Sequence, residues 1–149
     1  MDPVRLIQAL CIIAVFISSY QLWSGYQEPT GAPRFCDINQ VVSCTTVMHS
    51  RFGYLFGIPV SIIGLFGFAI MFAITFLTTT TLRNPLLVFG SIAGALFSAY
   101  LTYAEFFILH TVCPLCLIIF FIILIISISS VRTWGKECKE AILKIELVD

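Results

Sequence analysis

Apolar residues along this chain fall into blocks about twenty long, with the polar residues gathered between them. The blocks cover residues 4–23, 58–77, 86–109 and 112–131. At 1.5 Å per helical residue, twenty residues reach about 30 Å, the depth of a bilayer's hydrocarbon core. Four membrane-crossing helices are therefore predicted. A cleaved leader would have a shorter apolar core and a small-residue cleavage site, whereas the first block ends Ser18-Ser19-Tyr20-Gln21-Leu22-Trp23, an aromatic interface pattern, and reads as a retained helix. Residues 24–57 are the one long polar stretch. Residues 78–85 read as a tight turn because Asn84-Pro85 breaks helices. His110-Thr111 is barely a connection, and residues 132–149 form a charged tail whose Lys139, Glu140 and Lys144 read as a solvated helix face. The expected fold is an all-α membrane protein, a four-transmembrane-helix bundle in a single domain over residues 1–149.

Composition sharpens this picture. Of 149 residues 59% are apolar and 11% charged, and the mean hydropathy is +1.02, which excludes a water-soluble globule. Eight Lys+Arg balance eight Asp+Glu with no basic run, so nucleic acid is excluded as an expected partner and membrane lipid takes its place. The positive residues also orient the bundle, because short basic loops resist translocation. Arg5, Arg83, Arg132, Lys136, Lys139 and Lys144 share one side of a four-crossing chain, against Arg34 and Arg51 on the other. Both termini are expected in the cytoplasm, with the long 24–57 loop facing outward.

That orientation gathers the sulfur. Cys36 and Cys44 lie in the outward loop, Cys113 lies at the outer mouth of the fourth helix, and Cys116 lies one turn deeper. Cys11 falls inside the first helix and Cys138 in the tail, where they read as a core residue and an exposed one. Cys113-Pro114-Leu115-Cys116 is a C-x-x-C opening a helix, with proline near the first helical position. The positive helix end favours a thiolate there, and the i,i+3 spacing lets the pair close into a disulfide or open for exchange. A zinc half-site or a purely structural disulfide is the plainer alternative; no metal is expected, since the outward side favours oxidised sulfur. Cys36 and Cys44, eight apart, have room to close a disulfide, and loop flexibility could carry Cys44 to Cys113 for exchange. A staple is the alternative for that pair, as in claudin-like four-helix proteins, whose tryptophan-glycine-leucine-tryptophan signature this chain lacks.

In this order, Cys36-Asp37, Ser43-Cys44, Ser50-Arg51-Phe52-Gly53, Gly57-Ile58-Pro59 and Cys113-Pro114-Leu115-Cys116 resemble the vitamin K epoxide reductase family and its prokaryotic disulfide-forming relatives. The resemblance implies a four-helix bundle around a quinone of the menaquinone, ubiquinone or vitamin K type. It implies Cys113 and Cys116 as the active-site pair, with Cys116 facing the quinone, and Cys36 and Cys44 as the shuttle pair. It also implies a secreted thioredoxin-like partner and, for the prokaryotic branch that Gly57-Ile58-Pro59 favours, a cell membrane with the site facing outward. In a eukaryote the corresponding membrane is the endoplasmic reticulum. Two positions depart from the family. Val60 stands where many relatives place a quinone-binding asparagine, and Phe120 where animal enzymes place a tyrosine.

Further candidates follow from position. Ser61 is the nearest polar substitute for the absent asparagine, and Phe106, Phe107, Phe120 and Phe121 lie close enough to the C-x-x-C to line a quinone slot or simply to pack. Arg51 and His49 could steady a thiolate or the quinone from a short interfacial helix, or anchor that helix at the interface. Glu105 is the one carboxylate inside a predicted span, a candidate proton relay or a snorkelling side chain. Asp37 is read as orienting the shuttle loop or as an ordinary turn residue. The expected function is a membrane thiol:quinone oxidoreductase that generates disulfides. An epoxide reductase of the animal type and a claudin-like structural protein are the alternatives.

Overall fold

A computed structural model of the protein describes residues 2–26, 37–38, 42–77 and 79–146. Helix α1 covers Pro3–Tyr26, and the short helix α2 covers Cys44–Met48. Strands β1 (Tyr54–Leu55) and β2 (Ile58–Pro59) pair antiparallel, Tyr54 facing Pro59. Helix α3 is Val60–Ile74, α4 is Thr80–Ala104 running into a π-helical turn at Glu105–Leu109, and α5 is Pro114–Glu146. Helices α1, α4 with its π turn, and α5 contain stretches long and apolar enough to cross a membrane, and α3 is a shorter apolar helix.

The boundaries differ from the sequence expectation in ways that can be explained locally. The second helix occupies 60–74 rather than 58–77, because Ile58 and Pro59 belong to the hairpin and the Val60 N–H bonds the Gly53 carbonyl at 2.9 Å. The expected turn at 78–85 is largely helical, with Pro85 inside α4. So near a helix start proline removes one backbone bond, and buried Asn84, Leu87 and Val88 hold this segment in place. Asn84 also donates to the Glu137 carboxylate of α5. The charged tail continues α5 as one 33-residue helix, about 50 Å long. Within the 24–57 loop, α2 is a short helix that ends at Met48, before both His49 and Arg51, and the hairpin that starts at Tyr54 is an element that periodicity gave no sign of.

The bundle is apolar outside. Phe16 is 71% exposed, and Phe66, Phe89 and Leu96 are similarly bare, a surface suited to lipid rather than water. Ile7, Cys11, Ala14, Phe68, Met71, Ile122, Ile123 and Ile126 form the core where α1, α3 and α5 meet. Cys11 is therefore a packing residue, and Cys138 is an exposed free thiol. Polar side chains on α1 turn inward: Ser18, Gln21 and Ser24 are buried. Gln8 donates to Thr75 Oγ1 at 3.0 Å at the end of the bundle where α1 begins and α3 finishes. Gln21, α2, the π turn and the start of α5 meet at the opposite end. Gly94 sits so close to Ile123 of α5 that a Cβ there would lie 3.3 Å from it, so this small residue serves internal packing.

Candidate active site

Helix α4 ends in a way that aims α5 back across the bundle. His110 adopts the left-handed conformation, φ 51°, and its N–H and that of Thr111 both return to the Glu105 carbonyl, the latter at 3.2 Å, a stop one residue wider than a Schellman turn because the last turn is π-helical. Val112 then bridges in parallel to Val42, joining the loop to this turn. Cys113 follows as the residue before α5, with Pro114 at the first helical position, where its absent N–H costs nothing. The Cys113 sulfur acts as an N-cap, accepting the Cys116 backbone N–H at 3.3 Å. The Cys113 N–H in turn donates to Glu105 Oε2 at 3.1 Å.

The loop cysteine arrives from the other side. Ser43 caps α2, its hydroxyl accepting the Thr46 N–H at 3.2 Å. Asp37 braces that cap, accepting from the Ser43 hydroxyl at 2.8 Å, from the Thr45 N–H at 3.1 Å and from the Thr45 hydroxyl. Cys44, at the start of α2, is thereby set 3.3 Å from the Cys113 sulfur, and both are buried with Val47. Gly53 packs under α2 so closely that a Cβ there would meet the Met48 carbonyl oxygen at 2.2 Å. Among the described residues Cys113 and Cys116 are free thiols, whereas Cys44 is disulfide-bonded. Cys36 lies outside the described residues.

Gln21 of α1 completes the cluster, its Nε2 donating to Cys116 Sγ at 3.4 Å and lying 3.9 Å from Cys113 Sγ. Glu105 is 3% exposed and interacts with the Cys116 thiol as well as with the Cys113 backbone. The Cys113 thiol is held below its ordinary value. The hydrogen bond with the Cys116 thiol is the largest cause, and the Cys116 N–H adds to it against the opposing effect of burial. A thiol so placed forms the nucleophilic thiolate more readily than a free one.

Beneath these sulfurs opens a cavity of about 490 Å³, bounded by α1, α3, α4, α5 and the α2–hairpin segment, with Cys116 on its wall. Its volume is in the range of small-molecule sites, and its walls are mostly apolar with a few polar groups near Cys116, the pattern that suits a flat lipid-soluble ring. Of the residues expected at a quinone slot, Val60 and Ser61 line it, as do His49 and Glu105. Phe107, Phe120 and Arg51 do not. Phe107 is on the outer face, stacked on Tyr103 at 4.7 Å. Cys116, Ile119 and Ile123 form the lining stripe of α5, and Phe120 lies on its flank with its ring against Phe121. Arg51 is exposed in the turn after α2. Sequence reasoning passed over Ser18, Gln21 and Phe52 as lining residues. Polar residues three apart inside an apolar helix were the available signal for the first two, since such side chains face a bundle's interior.

This arrangement, one thiol on the cavity wall, hydrogen-bonded to a second whose sulfur touches a third, coincides with a sequence match: the profile of the vitamin K epoxide reductase family covers residues 5–131. The chain belongs to that family. Vitamin K epoxide reductase complex subunit 1 of Rattus norvegicus is 28% identical over 130 residues, covering 78% of this chain and 81% of the relative. Membership makes the protein an integral membrane oxidoreductase of thiol, disulfide and quinone chemistry, and it removes the claudin-like alternative.

Proposed function

We propose that this member of the vitamin K epoxide reductase family is a thiol:quinone oxidoreductase that generates disulfides, the prokaryotic role within the family. The supporting observation is the single sulfur of Cys113, in contact with Cys44 at 3.3 Å on one side and hydrogen-bonded to cavity-lining Cys116 on the other. Separations near 3.3 Å are those at which reacting atoms need little further motion.

In this scheme a secreted thioredoxin-like protein gives its dithiol to a Cys36–Cys44 disulfide, becoming oxidised as that pair is reduced. The Cys44 thiolate attacks Cys113 of a Cys113–Cys116 disulfide, forming a Cys44–Cys113 bond and releasing Cys116 as thiolate. Cys36 then displaces Cys113 from Cys44, so the electron pair now rests on Cys113 and Cys116. A quinone supplies the final acceptor, taking two electrons and two protons as those thiols close into a disulfide. Glu105 accepts the Cys116 proton and passes it into the cavity, Gln21 holds the Cys116 sulfur in place, and Asp37 braces the α2 cap that carries Cys44. The cluster faces outward from a prokaryotic cell membrane, following the distribution of Lys and Arg.

The test is turnover. Purified protein given a reduced thioredoxin-like carrier and a soluble quinone consumes quinone, and the Cys116→Ala variant does not. No turnover in the wild type contradicts the proposal. The name of the rat relative motivates a second arm with vitamin K epoxide and a dithiol, where turnover would place this protein with the epoxide reductases instead.

A further inference from the structure

Ser18 is 1% exposed, lines the cavity, and has no hydrogen-bond partner for its hydroxyl among the described residues. Buried hydroxyls are nearly always paired, and leaving one unpaired costs about 1–3 kcal/mol. Other hydroxyls on these helices show the usual remedy, bonding back to their own backbone: Ser19 to the Val15 carbonyl at 2.8 Å, Thr102 to Ser98 at 2.9 Å, Thr133 to Ser129 at 2.8 Å. Ser18 does not. Ser130 is likewise unpaired, but it is not on the cavity wall.

The space near Ser18 is shaped by a missing side chain. On α3, Gly64 packs against Ser18, where a Cβ would make ordinary contact with its oxygen at 3.6 Å, and one turn further along a Cβ at Gly67 would meet nothing within 4 Å. The missing side chain of Gly67 thus leaves open cavity one turn from a buried donor that lines the same space. Ser18 is three residues before Gln21, about 4.5 Å along α1. Gln21 is already committed to the Cys116 sulfur at 3.4 Å, so the next free donor below that sulfur is the Ser18 hydroxyl.

We propose that Ser18 donates a hydrogen bond to one carbonyl of a quinone ring seated in the cavity that Gly67 leaves open, and so anchors the acceptor beside Cys116. This rests on the thiol:quinone reading and names a donor on α1 where the chain carries Val60 on α3. The bond satisfies the orphan hydroxyl and fixes which ring oxygen lies deepest; it also strengthens as that oxygen gains negative charge.

The probe is 2,3-dimethyl-1,4-naphthoquinone, ¹³C-labelled at both carbonyls, bound to the full-length, fully oxidised protein and observed by infrared difference spectroscopy. Its substituted ring carbons block thiol addition, and the oxidised protein cannot turn over. Wild type is expected to show one carbonyl band shifted to lower frequency. Ser18→Ala should lose that shift and bind about threefold to tenfold more weakly, while Ser18→Thr keeps the shift. Gly67→Leu, which fills the gap and leaves the hydroxyl in place, should abolish binding. A shifted band that survives Ser18→Ala, two unshifted carbonyls in the wild type, or unchanged binding by Gly67→Leu overturns the anchor while quinone turnover persists. Absence of both binding and turnover in the wild type overturns the oxidoreductase reading as well.

Discussion

Cys113 caps α5 with the same sulfur that touches Cys44, so its chemistry and its structural role are linked through Cys116. The hydrogen bond with the Cys116 thiol is the chief reason the Cys113 thiol lies below its ordinary value. Removing it in Cys116→Ala moves the titration of Cys113 to higher pH, so at a fixed neutral pH less Cys113 thiolate is present; site-resolved alkylation by mass spectrometry across pH reads this directly. An unmoved profile would mean that Cys116 does not tune its neighbour. Glu105 separates into two roles by substitution. Glu105→Ala leaves the buried Cys113 N–H without its acceptor and lowers unfolding stability by about 1–3 kcal/mol. Glu105→Gln keeps an acceptor and most of that stability, but slows quinone reduction by about a hundredfold if the carboxylate carries the proton. Of these residues the cysteines were legible because C-x-x-C at a helix start has a chemical meaning at any position. Gln21 and Ser18 were not, because a polar residue in an apolar run reveals its importance only when the opposing helices are known.

At the scale of elements, the long apolar runs declared the helices, and the errors lay at their ends. Residues 58–59 satisfy the same apolar count as the helix that follows, yet they pair with Tyr54-Leu55 in a hairpin that no periodicity announces. Pro85 reads as a breaker in sequence, but it is compatible with a helix start once Asn84 and Leu87 are buried and Asn84 meets Glu137 of α5. Helix α2 is five residues long, too short for a periodic signal, although it sets the position of Cys44. Its seat depends on Gly53. Gly53→Ala drives a methyl into the Met48 carbonyl, so α2 must shift. The expected result is a lower melting temperature together with weaker cross-linking between Cys44 and Cys113; an unchanged cross-link yield would show that α2 tolerates the displacement.

The molecule as a whole is a bundle with an apolar exterior and its reactive sulfur, polar α1 residues and cavity gathered at one end. A charge count proposes that this end faces outward and that both termini are cytoplasmic. In intact cells an impermeant maleimide should then leave Cys138 unlabelled until the membrane is opened; immediate labelling would invert the orientation. The central claim is that Cys44 and Cys113 exchange directly, joining the loop to the cavity. It is tested by the double variant Cys36→Ala, Cys116→Ala, treated with diamide and mapped by peptide mass spectrometry. The contact at 3.3 Å predicts a Cys44–Cys113 disulfide as the dominant product. Free Cys44 and Cys113 in a folded protein, or either one paired with Cys11 or Cys138 instead, would contradict it.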